Sequence, residues 1–277
     1  MSAPLYLVDA FADTPFAGNS AAVCLLPDAG DATSDAAWDT AWMQAVAGEL
    51  HQPATAFVRR AGASFELRWF TSTAELALCG HGTLATAHVL WEAGLLDEHE
   101  AARFETMTGA LAASRDGAWI TLDFPAQPAR PVEAPLDLLA AFAVTPRTVA
   151  RSDLDYLLEL DSEAAVRAVQ PDIARLRQVE TRGVIVTAPS SQDGVDIVSR
   201  FFAPRFGLDE DSVTGSAHCT LGPYWAERLG RTTLRAFQAS ARGGSVRVEV
   251  AGPRVHLSGQ AITVLRGDLL ARPTQRT

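Results

Sequence analysis

Residues 67–96, "LRWFTSTAELALCGHGTLATAHVLWEAGLL", run from an Arg-aromatic-Phe strand through a polar stretch holding Glu75 to the junction Cys79-Gly80-His81-Gly82, and then into a helical pattern carrying Trp91. Roughly 130 residues later, residues 199–230, "SRFFAPRFGLDEDSVTGSAHCTLGPYWAERLG", pass through the same order: Arg200-Phe201-Phe202, Glu210, a Gly215-Ser216 junction and a helix with Trp225. Glycine at a strand-to-helix turn is common, and either stretch alone reads as an ordinary turn. The same chemistry in the same order twice reads as an internal repeat. Gly94 and Gly230 stand where a helix C-terminal glycine would close each copy.

Outward from the repeat, the chain has 277 residues, of which 48% are hydrophobic, so it can bury one large core or two ordinary ones. No apolar run approaches the roughly 20 residues of a membrane span. The start, MSAPLYLVDAF, lacks the basic region and long apolar stretch of a secretion signal, so a cytoplasmic protein without a membrane partner is expected. A formal charge of −10 disfavours nucleic acid and anionic membrane surfaces, which are held by clustered Lys and Arg. Cys24, Cys79 and Cys219 are far apart and include no CxxC pair. They indicate reduced thiols, with neither a disulfide framework nor a structural metal site.

The stretch "FPAQPARPVEAP", residues 124–135, carries four prolines that bar a helix interior or a central strand, and reads as an interdomain connector. Two halves follow, 1–126 and 127–277, with the last strand able to return to the first half. Within them "LYLVDAF", "GAWITLDF" and "RGVIVTA" have strand character, and "AAVRAVQPDIARLRQV" is helical in two pieces around Pro171. Ser34 can cap a helix from Asp35 to about Leu50, with Trp38, Trp42, Ala45 and Val46 on one face. Alternation of Val246, Val248 and Val250, followed by Gly252-Pro253, reads as a hairpin with a third strand after it. Strands outnumber helices, which makes the fold α+β rather than a doubly wound sheet.

If both glycine junctions are real, each helix presents free N–H groups and a partial positive charge of roughly half a unit at its start. Two such ends facing one cleft would hold a carboxylate and stabilise charge developing beside it. That is a site for proton transfer next to a carboxylate.

The stretches "VDAFADTPFAGNSAAVCLLP", "ELRWFTSTAELALCGHGTLATAHVL", "RFETMTGAL", "RFFAPRFGLDEDSVTGSAHCTLGPYWAERLG" and "ASARGGSVRVEVAGPRVHLSGQAITVLRG" together resemble the phenazine-biosynthesis PhzF-like family, from about residue 5 to residue 270. The resemblance implies a diaminopimelate epimerase-type fold, with two pseudo-symmetric halves, each a mostly antiparallel or mixed sheet wrapped round a central helix. It also implies a homodimer, and isomerisation of a small carboxylic acid by moving a proton between carbons without cofactor or metal.

Residue by residue, the family's glycine-histidine motif falls on Gly80-His81 and its "EDxxTGSA" motif on Glu210 to Ala217. Its glycine-asparagine motif falls on Gly18-Asn19, with Ser20 where proline is usual. The segment that normally reads "SETAF" is here "PATAF", so Ala54 stands at the position of the principal acid/base glutamate and Pro53 at that of the serine. A methyl group exchanges no proton, and loss of a general acid/base costs about a hundredfold to ten-thousandfold in rate. The candidate catalytic residues are His81, whose ordinary pKa suits proton transfer, Asp211, which a simple helix cap would also explain, and Cys79. The last resembles one of the two catalytic cysteines of diaminopimelate epimerases. No second cysteine precedes Gly215, which disfavours a two-thiol epimerase. Asn19, Gly80, Gly215 and Ser216 are the candidate substrate-binding residues. His88, beside Leu84 and Trp91, reads as structural, and Cys24 and Cys219 as packing. The leading expectation is an isomerase with altered acid/base chemistry. The alternatives are a catalytically inactive small-anion-binding or regulatory homologue, and a purely structural dimer.

Overall fold

A computed structural model describes residues 3–31, 35 and 38–271. The chain divides into two units, Met1–Asp123 with Ser258–Thr277, and Phe124–Leu257. The first contains β1 (Ala3–Ala10), β2 (Asn19–Leu25), α1 (Thr40–Leu50), β3 (Ala54–Ala61), β4 (Ser64–Phe70), β5 (Glu75–Leu76), α2 (Gly80–Glu92), β6 (Ala102–Thr106) and β7 (Gly109–Asp116). From it β8 (Trp119–Pro125) leads into the second, which holds β9 (Arg130–Pro131), α3 (Leu136–Phe142), β10 (Thr148–Arg151), β11 (Asp155–Glu159), α4 (Glu163–Ala168) and α5 (Ile173–Leu176). There follow β12 (Gly183–Pro189), β13 (Ile197–Ala203), β14 (Leu208–Asp211), α6 (Gly215–Leu229), β15 (Thr233–Gln238) and β16 (Gly244–Ala251). The chain then returns through β17 (Arg254–Gly259) to the first unit's β18 (Ala261–Leu269).

The pairing repeats strand for strand. In the first unit β1 lies antiparallel to β18 and β2, β2 parallel to β3, β3 antiparallel to β4, β4 antiparallel to β5 and parallel to β6, and β6 antiparallel to β7. In the second, β10 is antiparallel to β9 and β11, β11 parallel to β12, β12 antiparallel to β13, β13 antiparallel to β14 and parallel to β15, and β15 antiparallel to β16. Parallel neighbours need a crossover long enough for a helix. Each unit therefore has two, one carrying α1 or the pair α4 and α5, the other carrying the long helix α2 or α6.

Both long helices are buried on nearly every side. In α2, His81 to Ala87 and Val89 to Trp91 are buried, and in α6 the buried set runs from Gly215 to Trp225 with few gaps. A helix apolar all round belongs inside a core rather than on its rim. Pro223 sits in the interior of α6, where it removes the N–H that would reach the Cys219 carbonyl. That carbonyl instead accepts the Gln127 N–H at 3.0 Å, so the proline-rich connector repairs the helix's missing bond. His88 ties α2 to the returning strand, with Nε2 3.1 Å from Thr263 Oγ1 and 3.0 Å from Glu92 Oε2. Burial lowers its pKa, an effect that neighbouring Glu92 partly offsets.

The structure moves one expected element. Asp39 caps α1 by accepting the Trp42 N–H at 2.9 Å, and the expected cap, Ser34, lies outside the described residues. The buried stripe is Met43, Val46 and Ala47, with Ala45 outward. Met43 and Ala47 pack on Phe57 and Phe70, whereas Trp38 precedes the helix and lies under the Arg59 guanidinium, 4.4 Å from its ring centroid.

A polar anchor in the second unit sets an acid limit. Glu163, at the start of α4, accepts bonds from Arg167 Nε, Gln192 Nε2, Ser190 Oγ, Ser191 N and Ser191 Oγ at 2.6–3.0 Å. Burial alone would raise its pKa, but these donors outweigh it and hold the carboxyl at about 2 against an ordinary 4.5. A depressed pKa contributes stability above the unfolded value that is lost as pH falls through the folded one. Glu163→Gln is expected to destabilise the protein by about 2–3 kcal/mol at pH 7. Urea titrations should show that deficit undiminished above pH 4.5 and shrinking as pH falls toward about 2.

Candidate active site

The seven sequence-predicted residues fall into two clusters, one in each unit, at the starts of the two long helices. In the first unit, the loop from β1 to β2 must turn sharply at Gly18. Its φ is +63°, and an added Cβ would lie 2.2 Å from the Ala10 carbonyl oxygen, so only glycine fits. The turn delivers Asn19, fully buried at the first position of β2. Asn19 Nδ2 donates to His81 Nδ1 across 3.4 Å, and Cys79 Sγ stands 3.6 Å from the same nitrogen.

Cys79 is the N-cap of α2, its sulfur accepting the Gly82 N–H at 3.4 Å. The second glycine of the motif is a packing requirement. A Cβ on Gly82 would lie 2.7 Å from Trp69 Cδ1 and 2.9 Å from Cys79 Sγ. Thr83 Oγ1 returns to the Cys79 carbonyl at 2.6 Å and holds the cap in place. A thiol at a helix start can act as a thiolate, because the backbone N–H groups there favour negative charge. The other two thiols cannot behave so, because burial pushes Cys24 and Cys219 up to about 12.

In the second unit Asp211 ends β14, and its Oδ2 accepts the Thr214 hydroxyl at 2.6 Å. Gln238 braces the same turn, accepting the Thr214 N–H at 2.9 Å and donating to the Asp211 carbonyl at 2.8 Å. Thr214 is the N-cap of α6, followed by Gly215 and half-buried Ser216. His218 Nδ1 donates to the Thr214 carbonyl at 2.8 Å, the counterpart of the Thr83 bond in the first unit. Burial lowers the His218 pKa to about 4, so at neutral pH the ring is uncharged.

Sequence reasoning missed Arg182 and Asp155. Arg182 Nη1 donates to Ser216 Oγ at 2.9 Å, while its Nε and Nη2 grip both oxygens of Asp155, which has no exposed surface. Also in the first unit, Ser20 Oγ donates to Gln52 Oε1 at 3.0 Å, beside Pro53 and Ala54. Ala54 opens β3 opposite Ala21 and is fully buried. Among the described residues, no three His, Cys, Asp or Glu side chains gather as a metal ion would require.

The sequence pattern of the phenazine biosynthesis-like proteins matches residues 8–267. The chain is 45% identical over 271 residues to an uncharacterised isomerase of Halalkalibacterium halodurans, covering 98% of this chain and 99% of that one. A crystal structure of a PhzF-family phenazine biosynthesis protein from Enterococcus faecalis superposes with a TM-score of 0.90 at 38% identity, over 98% of this chain and all of the other. A Pseudomonas aeruginosa protein described as a predicted epimerase follows at a TM-score of 0.72 and 25% identity, covering 97% and 99% of the two chains. The α+β architecture is thus the epimerase-type fold.

The cap at Cys79 can be separated from its chemistry. Cys79→Ser keeps an acceptor for the Gly82 N–H and should stay within about 0.5 kcal/mol of wild type, whereas Cys79→Ala should lose about 1 kcal/mol in chemical denaturation. Equal losses in both variants would show that packing of the sulfur, not the cap, holds this turn.

Proposed function

This chain belongs to the phenazine biosynthesis-like family, and from that premise we propose that it is a cofactor-independent isomerase moving a proton on a small carboxylic acid. The observation that carries the reading is the contact of Cys79 Sγ with His81 Nδ1 at 3.6 Å, at the start of a helix whose N–H groups favour negative charge. In this reading the Cys79–His81 couple takes a proton from a carbon activated by the carboxylate and returns it to another carbon, a role the Ala54 methyl cannot fill. Asp211 is the second acid/base. Asn19 orients the imidazole beside Gly80 in the first unit's cluster, and in the second unit's cluster Gly215 and Ser216 offer donors to a carboxylate. Retention of both glycine junctions supports this over a protein preserved only for packing. Isomerase and epimerase descriptions among its relatives support it as well.

Ala54 favours a second reading, a small-anion-binding or regulatory homologue that keeps the donors and has lost the chemistry. The two are separated by incubating the protein in deuterium oxide with small carboxylic acids that carry an acidic C–H, and reading deuterium incorporation by NMR. An isomerase incorporates deuterium, and His81→Ala or Asp211→Ala should each lower the rate a hundredfold or more. Restoring the family residues in Pro53→Ser/Ala54→Glu is expected to raise the rate. Binding without incorporation in either the wild type or this double variant would overturn the isomerase reading and leave the binding protein.

A further inference from the structure

Ser216 is the second residue of α6, and its hydroxyl oxygen lies 2.9 Å from Arg182 Nη1. A guanidinium has only donors, so in this bond Ser216 must accept. Its own O–H is therefore left to donate elsewhere, and among the described residues no protein acceptor receives it. The arginine is not free to swing away. Two of its other N–H groups are fixed on Asp155, a carboxylate with no exposed surface at the first position of β11, where it pairs with Gly183. A fork between a planar guanidinium and a buried carboxylate sets direction as well as distance. A hydroxyl that accepts from a cation is in turn polarised toward donating its own proton.

We propose that Arg182, clamped by Asp155, is a positioning residue that commits the Ser216 hydroxyl to donate to an anionic oxygen of the ligand, a carboxylate. The inference rests on the reading that the second-unit cluster holds the acid. It goes further in making Ser216 a donor rather than a nucleophile or base, with a residue outside the family motif fixing that role. Were the Arg182–Asp155 pair only a structural staple, Ser216 would be indifferent to it.

Acetate is the probe, with acetamide as its neutral counterpart, followed by calorimetry and thermal shift on the full chain. Arg182→Gln alone would strand a buried carboxylate, so Arg182→Gln/Asp155→Asn, which removes both charges, is the test variant, alongside Ser216→Ala and Arg182→Lys. Ser216→Ala and the double variant should each weaken acetate binding about tenfold, and the triple variant should be no weaker than either, because the residues act through one bond. Arg182→Lys, which keeps the charge but not the fork, should fall between wild type and these. If the double variant fails to fold, Arg182→Lys decides alone: at least threefold weaker acetate binding at an unchanged melting temperature supports the proposal, and wild-type affinity overturns it. Acetamide should bind the wild type more weakly than acetate, and its affinity should fall less than that of acetate in the double variant. Absence of acetate binding to the wild type, wild-type affinity in a folded double variant, or multiplied losses in the triple variant would each overturn the proposal. Should these affinities behave as stated while no acid exchanges deuterium, the isomerase reading fails and the role of Arg182 stands.

Discussion

Both helix starts depend on a two-pronged bond between an arginine and a glutamate. In the first unit Arg68 Nε and Nη2 meet Glu75 Oε1 and Oε2, both at 2.7 Å, and in the second Arg200 meets Glu210 in the same way at 2.7 and 2.9 Å. Each fork joins a residue of β4 or β13 to the short strand that folds back on it, and so fixes where the chain stands a few residues before the helix begins. Each arginine also reaches the preceding crossover. Arg68 donates to the Trp38 carbonyl and the Thr40 hydroxyl at the start of α1, and Arg200 to the Val169 carbonyl at the end of α4. The four side chains are largely buried, so the bonds are screened less than exposed pairs would be and losing one partner would strand a charge.

A helix held inside a core needs polar chemistry at its start, because the first backbone N–H groups have no partner within the helix. Here that need and the candidate chemistry coincide. The first unit answers it with a thiol that accepts the Gly82 N–H, and in the second Asp211 and Gln238 hold the N-cap residue Thr214; in each a side chain four residues on, Thr83 or His218, fixes the cap carbonyl. Groups placed to satisfy a helix start are already immobilised. That is the condition a proton-transfer site requires, since an ångström of misplacement costs much of the rate.

The repeat was legible in the sequence because its chemistry is local and occurs twice. An arginine, an aromatic pair, a glutamate and a glycine appear in one order, and the Arg–Glu fork gives the reason that order is needed. The proline connector and the strand-rich character were readable on the same grounds, as was the break at Pro171, which falls between α4 and α5. Arg182 was not legible. Its partners Asp155 and Ser216 are 27 and 34 residues away, and an arginine before a strand looks like any surface cation. The bond between Ser20 and Gln52 escaped notice for the same reason. The two residues are 32 positions apart in the chain, and only the fold puts their side chains 3.0 Å apart.

The register of the sheets shows where the two units part company chemically. In the first, the parallel pairing of β2 with β3 begins at Ala21 and Ala54; in the second, that of β11 with β12 begins at Asp155 and Gly183. Counted from these pairs, Pro53 corresponds to Arg182 and Ala21 to Asp155. An ion pair that grips the second helix's Ser216 thus occupies the positions that are proline and alanine in the first unit. An internal repeat can keep its packing rules while its charges diverge, because packing is set by the glycines, aromatics and forks common to both copies. The polar groups at the matched positions are free to specialise, and in this chain the second unit carries an ion pair at Asp155 and Arg182 where the first has Ala21 and Pro53.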